Sequence, residues 1–185
     1  MAAGSLLLLN GPPGIGKTTV ARLLADARPL SLCLDIDLLR RSLGQWMDHP
    51  DESGGLAREL ALAAASEHLR SGHGVVVPQF LGRPAFIDRL ERLATEVGSP
   101  FLHVVLMDDE DAAASRFLAR AEGREATEQH LEAAAMAGGR SGFGEMYELL
   151  RRVVASRPDV CVVAITEGDV AGTVAQVEAT LAGRW

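Results

Sequence analysis

The sequence predicts an α/β protein, a three-layer α/β/α arrangement around a five-stranded parallel sheet. Three observations carry this. Apolar runs such as LLLL (6–9), VVV (75–77) and FLHVVLM (101–107) are continuous rather than alternating, as in strands buried on both faces. Stretches with helical spacing separate them, and a helical crossover is how successive strands become parallel. The 185 residues suffice for one core, and no linker or low-complexity tract divides them, so residues 1–185 read as a single domain.

Each element follows from local signals. Leu6–Leu9 forms the first strand and Thr18–Ala27 the first helix. Ser31–Leu34 is the second strand, followed by a helix from Asp37 to Leu43. The polar, glycine-bearing WMDHPDESGG (46–55) reads as a loop. Leu56–Leu69 is a packing helix stopped by Gly72 and Gly74. Val75–Val77 is the third strand, and Pro84–Val97 a helix with proline in its first turn. Phe101–Met107 is the fourth strand and Glu110–Ala121 the next helix, with a further helical piece reaching Ala137. GGRSGFG (138–144) reads as flexible. Glu145–Ala155 is helical, Val160–Ile165 the fifth strand and Asp169–Leu181 the closing helix. Sheets of this kind bind ligands beyond the carboxyl ends of their strands. That rim holds Asn10–Thr18, Asp35–Arg41, Pro78–Arg83 and Asp108.

Composition narrows the function classes. Hydrophobic residues make up 48% and charged residues 23%, the balance of a soluble globular chain. Aromatics are only 4%, so Leu, Val and Ala must fill the core. A net charge of −7 opposes loose adhesion to nucleic acid or anionic membrane. Cys33 and Cys161 lie in apolar runs and read as buried strand thiols. The five histidines form no metal constellation. MAAGSLLLLNG lacks a basic flank and is too short for a signal peptide or membrane span, giving the expectation of a cytoplasmic protein, monomer or homodimer.

GPPGIGKT, Gly11–Thr18, fits G-x-x-x-x-G-K-[ST] in full, with a strand before it and a helix after it. Backbone N–H groups around Gly14–Lys17 form a concave nest, and the helix starting there turns its positive end toward it. Gly11, Pro12, Pro13, Gly14, Ile15 and Gly16 are thus expected to cradle phosphates. Lys17 would bridge the β- and γ-phosphates, the Thr18 hydroxyl would ligate Mg²⁺, and Thr19 would lie near the α-phosphate. ATP and Mg²⁺ are the expected cofactors.

With this context the motif resembles the P-loop NTPase superfamily. VVVPQF places Gln79 where motor proteins, GTPases and ring ATPases carry an acidic residue, and no NKxD-like guanine reader occurs. The layout resembles the small P-loop kinases: nucleoside and nucleotide, shikimate and gluconate kinases, and the chloramphenicol phosphotransferases. VVVPQFLGRPAFIDRLERL is similar to the corresponding stretch of the tunicamycin-resistance group. The resemblance implies transfer of the γ-phosphate of ATP to a hydroxyl of a small molecule, antibiotic, nucleoside or sugar-like. A polynucleotide or tRNA-end kinase shares the same core, although the negative charge disfavours it. A nucleotide-binding switch would need only the cradle.

The same resemblance assigns further residues. In SLCLDIDLLRRSLG, an aspartate at the start of the second helix faces the acceptor hydroxyl in these kinases, which by position is Asp37, with Asp35 nearer the metal. Which of the two is the base stays open, and the bland reading makes Asp37 a helix cap. Arg40, Trp46, Gln79 and Arg83 are candidate substrate contacts, within or beside a substrate segment spanning about 38–72. In DDEDAAASRFLARAEGREATEQ, Arg116 and Arg120 share a helix face and Arg124 follows. Lid arginines of small kinases neutralise charge on the transferring group, so residues 121–144 are expected to form a lid, with Arg124 on the nucleotide. The segment around Arg157 and Pro158 is the expected place for the base, with ATP and GTP not distinguished.

Overall fold

β1 (Leu6–Asn10) occupies the centre of a five-stranded sheet, and its five residues are all buried. The computed structural model describes residues 4–122, 138–181 and 183–185, excepting the side chains of 120–122. Around β1 the chain runs α1 (Lys17–Asp26), β2 (Leu32–Cys33), α2 (Ile36–Arg41), α3 (Pro50–Arg70) and β3 (Val75–Pro78). It continues through α4 (Pro84–Glu96), β4 (Phe101–Met107), α5 (Glu110–Glu122), α6 (Gly139–Ser156), β5 (Cys161–Ala164) and α7 (Val170–Leu181). The strand order is β2-β3-β1-β4-β5 and every pairing is parallel. Leu8 lies beside Val77 on one flank and His103 on the other.

Alternation along β1 builds two cores. Leu6 and Leu8, with Val75 and Val77, face α3 and α4 through Ala57, Ala61, Ala65, Ile87 and Leu90. Leu7 and Leu9, with Val76 and Leu106, face α1 and α7 through Val20, Leu24, Val177 and Leu181. Both faces of the sheet are therefore covered, which is why its strands read as unbroken apolar runs. A third cluster joins α5 to α6, where Ala113, Ala114 and Phe117 meet Phe143 and Tyr147.

Two boundaries and the burial of two cysteines differ from the sequence expectation. α3 begins at Pro50, inside the stretch expected to be a loop. Proline fits the first helical turn, Asp51 and Glu52 favour its positive end, and buried Ser53 fixes it to neighbouring chain. α6 begins at Gly139, inside the stretch expected to be flexible. Gly138 enters it at φ 66, and fully buried Phe143 pins that first turn onto α5, a packing term outweighing the glycines. Cys33 and Cys161 are free and half-buried rather than buried, because β2 and β5 are the two sheet edges. The helical piece expected before Ala137, Arg124 and most of the expected lid lie in 123–137, outside the described residues. Among the described residues no helix is long and apolar enough to cross a membrane.

Candidate active site

The sheet order creates a crevice. α1 leaves β1 across one face to reach β2, whereas α4 leaves its neighbour β3 across the other face to reach β4. Helices diverging from adjacent strands open a gap at the carboxyl ends, the usual ligand position in such sheets. The turn after β1 sits there.

That turn is shaped by two glycines with different reasons. At Gly11 (φ 150) a Cβ would lie 2.7 Å from the Leu106 carbonyl oxygen, so close approach of β4 requires glycine. Gly16 (φ 93) enters α1 left-handed, and nothing stands within 4 Å of where its Cβ would be, which leaves that side of the loop open. Ile15 anchors the loop by burying its side chain in the α1 core. Pro12 is buried, Pro13 half-buried, and Gly14 and Thr19 are exposed.

Lys17 is half-buried, and its Nζ donates to the Pro12 carbonyl at 2.9 Å. Burial pulls its pKa down to about 8, against the opposing pull of Asp37 and then Asp35. Thr18 Oγ1 donates to Asp35 Oδ2 across a long 3.5 Å. Asp35 Oδ1 accepts the N–H groups of Asp37 at 3.0 Å and Leu38 at 3.4 Å, so Asp35 is the residue that caps α2. The cap reading of Asp37 is thereby corrected. Burial, then the neighbouring Asp37 charge, raises the Asp35 pKa, while its backbone bonds and Arg41 act in the opposite sense. Asp37 is exposed in the first turn of α2. Lys17, Thr18, Asp35 and Asp37 thus form one electrostatic cluster at the ends of β1 and β2.

The expected substrate residues divide. Arg40 Nε donates to Ser53 Oγ at 3.1 Å, and its NH2 to the Pro50 carbonyl at 3.2 Å. Its guanidinium carbon lies 4.9 Å from the Trp46 ring centroid, so Arg40 ties the α2–α3 connection together and orients the indole. The Gln79 N–H donates to the Leu9 carbonyl at 3.2 Å, which sets that residue beside the cradle. Gln79 Oε1 is buried and has no partner among the described residues. Arg83 is exposed at the start of α4.

Arg116 sits at the carboxyl ends of β4 and β5, on the same rim. It pairs with Asp108 and, at 3.5 Å, with Glu167, and its side chain is 19% exposed. The Tyr147 hydroxyl supports this arrangement by donating to the Asp108 carbonyl at 2.8 Å and accepting the Asp108 N–H at 3.2 Å. Arg120 lies one turn further along α5, but its side chain is outside the described set.

The expectation for Arg157 and Pro158 is overturned. They precede β5 and lie at the opposite rim, where Arg157 pairs with Asp88 and with Glu91 at 2.9 Å. They line a groove of about 870 Å³ beside the amino-terminal half of β4, remote from the cradle. Sequence reasoning passed over Tyr147, and it set Asn10 on the rim without giving it a role. For Asn10 a signal existed, a lone amide closing an apolar strand just before a glycine.

A five-stranded parallel sheet of this order, with a glycine-built cradle at its switch point, defines a P-loop kinase-like α/β/α domain. A family model described as an AAA domain matches residues 6–142, and the protein belongs to that family. Among solved structures, the chain is similar to a gluconokinase from Sinorhizobium meliloti, at 21% identity and a TM-score of 0.60, covering 98% of this chain and 94% of that one. It is also similar to the Deinococcus radiodurans tunicamycin resistance protein, at 18% identity and TM-score 0.65, covering 97% and 96%. Mycobacterium tuberculosis APS kinase, solved with AMPPNP and APS, matches at 18% and 0.63, covering 98% and 99%. At these identities the likeness establishes the fold. Comparison with curated proteins finds no match.

Proposed function

We propose that the protein is an ATP- and Mg²⁺-dependent phosphotransferase that moves the γ-phosphoryl group to a hydroxyl of a small, antibiotic-, nucleoside- or sugar-like molecule. The observation that carries this reading is the cluster of Lys17, Thr18, Asp35 and Asp37 beside the cradle. A switch needs the cradle alone; an exposed carboxylate within the electrostatic reach of the cradle lysine suits chemistry. The names of the similar structures, which are kinases in two of the three cases, support the same class.

The residues fit the cofactors. Hydroxyl and carboxylate oxygens of Thr18 and Asp35 are the hard donors Mg²⁺ prefers, and the open side of Gly16 leaves room for phosphate. Bound Mg-ATP supplies the phosphoryl group and part of the charge neutralisation. Lys17 binds phosphate with the N–H groups not held by Pro12, and the nest holds the remaining oxygens. Asp37 aligns the acceptor hydroxyl and takes its proton, which is sufficient because phosphoryl transfer depends mainly on positioning. Gln79 contacts the acceptor from beside the cradle, Trp46 offers a flat surface already set by Arg40, and Arg83 closes that side. Arg116, Arg120 and Arg124 offset charge on the nucleotide.

The test is a panel of sugars, nucleosides and hydroxylated antibiotics incubated with Mg-ATP, with wild type and Lys17→Ala side by side. The expected result is one acceptor phosphorylated by wild type and by no Lys17→Ala sample of unchanged melting temperature. A Lys17→Ala protein turning over ATP at the wild-type rate sinks the cradle assignment.

A further inference from the structure

Asn10 is fully buried at the end of β1, and its carboxamide is used at every corner. Oδ1 accepts two backbone N–H groups, from Gly11 at 2.8 Å and from Leu81 at 2.9 Å. Nδ2 donates to the Leu81 carbonyl at 3.0 Å and approaches His103 Nε2 at 3.3 Å. Two donors on one side and a carbonyl on the other leave a single amide orientation. Nδ2 has only hydrogens to offer, so His103 Nε2 must accept. The imidazole is therefore neutral with its proton on Nδ1, in keeping with a pKa that burial, and then Arg157, lowers to about 4. One side chain thus grips the first residue of the cradle, both backbone groups of the loop after β3, and the neighbouring strand β4.

We propose that Asn10 is a positioning residue that locks the 79–83 loop to the phosphate cradle, so that donor and acceptor sides of the site move as one body. This rests on the phosphotransferase reading above. Gly11 opens the cradle and Leu81 lies between Gln79 and Arg83, so the amide is the direct link between the two halves. Among the described residues, the other hydrogen bond from this loop to β1 is that of the Gln79 N–H to the Leu9 carbonyl, and both backbone groups of Leu81 are held by Asn10. In an in-line transfer a small shift of either half lengthens the path of the phosphoryl group, so a rigid link has catalytic value.

The experiment needs no acceptor. Amide exchange is followed by NMR in the full chain, with and without Mg²⁺ and AMPPNP. In wild type the nucleotide is expected to slow exchange at Gly14–Thr18 and, through Asn10, at Leu81 by about tenfold. In Asn10→Ala the slowing at Gly14–Thr18 persists while the response at Leu81 falls below about twofold. Simple loss of stability would speed exchange at both places and leave the response linked. If Asn10→Ala does not fold, Asn10→Ser, whose hydroxyl is too short to span to Leu81, is expected to give the same split. His103→Gln, whose Oε1 accepts the same amide proton, keeps the wild-type response. A wild-type protein protected at the cradle but not at Leu81 overturns the Asn10 role alone, as does an undiminished response in both Asn10 variants. No nucleotide protection at Gly14–Thr18 in wild type overturns the cradle reading, and the Asn10 role with it.

Discussion

Lys17 carries a pH signature. Burial leaves its pKa at about 8, so the ammonium that phosphate needs is fully present below that value and is lost as pH rises through it. Bound phosphate favours the charged form and raises the pKa, so binding takes up a proton above pH 8. The association constant for Mg-ATP is therefore expected to hold level near pH 7 and fall by up to tenfold per unit above about 8. Titration calorimetry from pH 7 to 9.5 reads this, and Lys17→Ala should show no such fall. Asp37 is the larger of the two charges that hold the Lys17 pKa up, so Asp37→Asn should start the fall at lower pH. At neutral pH that variant should lower kcat by about a hundredfold while ATP affinity changes little. Loss of nucleotide binding with transfer intact at saturation would move Asp37 into the metal's surroundings. The motif made Lys17 and Thr18 readable from spacing alone. That Asp35 and not Asp37 caps α2 was not readable, because two carboxylates two residues apart offer the same cap until φ and ψ are known.

Between α2 and α3, and between α5 and α6, helices meet without sheet support, and there the sequence misleads most. Glycines and polar residues announced loops at 46–55 and 138–144, yet Pro50 and Gly139 start helices. In both cases a single tertiary contact outweighs local propensity: Ser53 beneath Arg40 and Trp46, and Phe143 between Phe117 and Tyr147. Phe143 is fully buried, with ring centroids 5.2 Å from Phe117 and 5.6 Å from Tyr147. Phe143→Ala should cost about 3–5 kcal/mol, a typical value for removing a buried aromatic. Urea unfolding measures it. A loss under about 1 kcal/mol would mean that α6 does not depend on this cluster. Because Tyr147 also bonds the Asp108 backbone beside Arg116, the same variant should weaken nucleotide binding at the rim.

At the scale of the whole molecule the sheet was legible in class but not in order. Continuous apolar runs fix strands buried on both faces, whereas nothing in a run of valines tells which strand lies beside which. That gap explains the misplaced Arg157: its neighbourhood to β5 is plain in the sequence, but whether it stands at the amino or carboxyl end of the strand matters more, and it stands at the amino end. The central place of β1 has a kinetic consequence. As the chain is synthesised, β1 finds neither neighbour until residues 75–78 and 101–107 have followed. Until residues 75–78 have followed, LLLL has no strand to pair with, an apolar segment open to mispairing and in need of shelter. Its glycine turn, complete by residue 18, likewise has no Leu106 carbonyl to rest against. The nascent chain thus carries its nucleotide motif long before it has the shape to use it, and nucleotide cannot guide the early steps of folding.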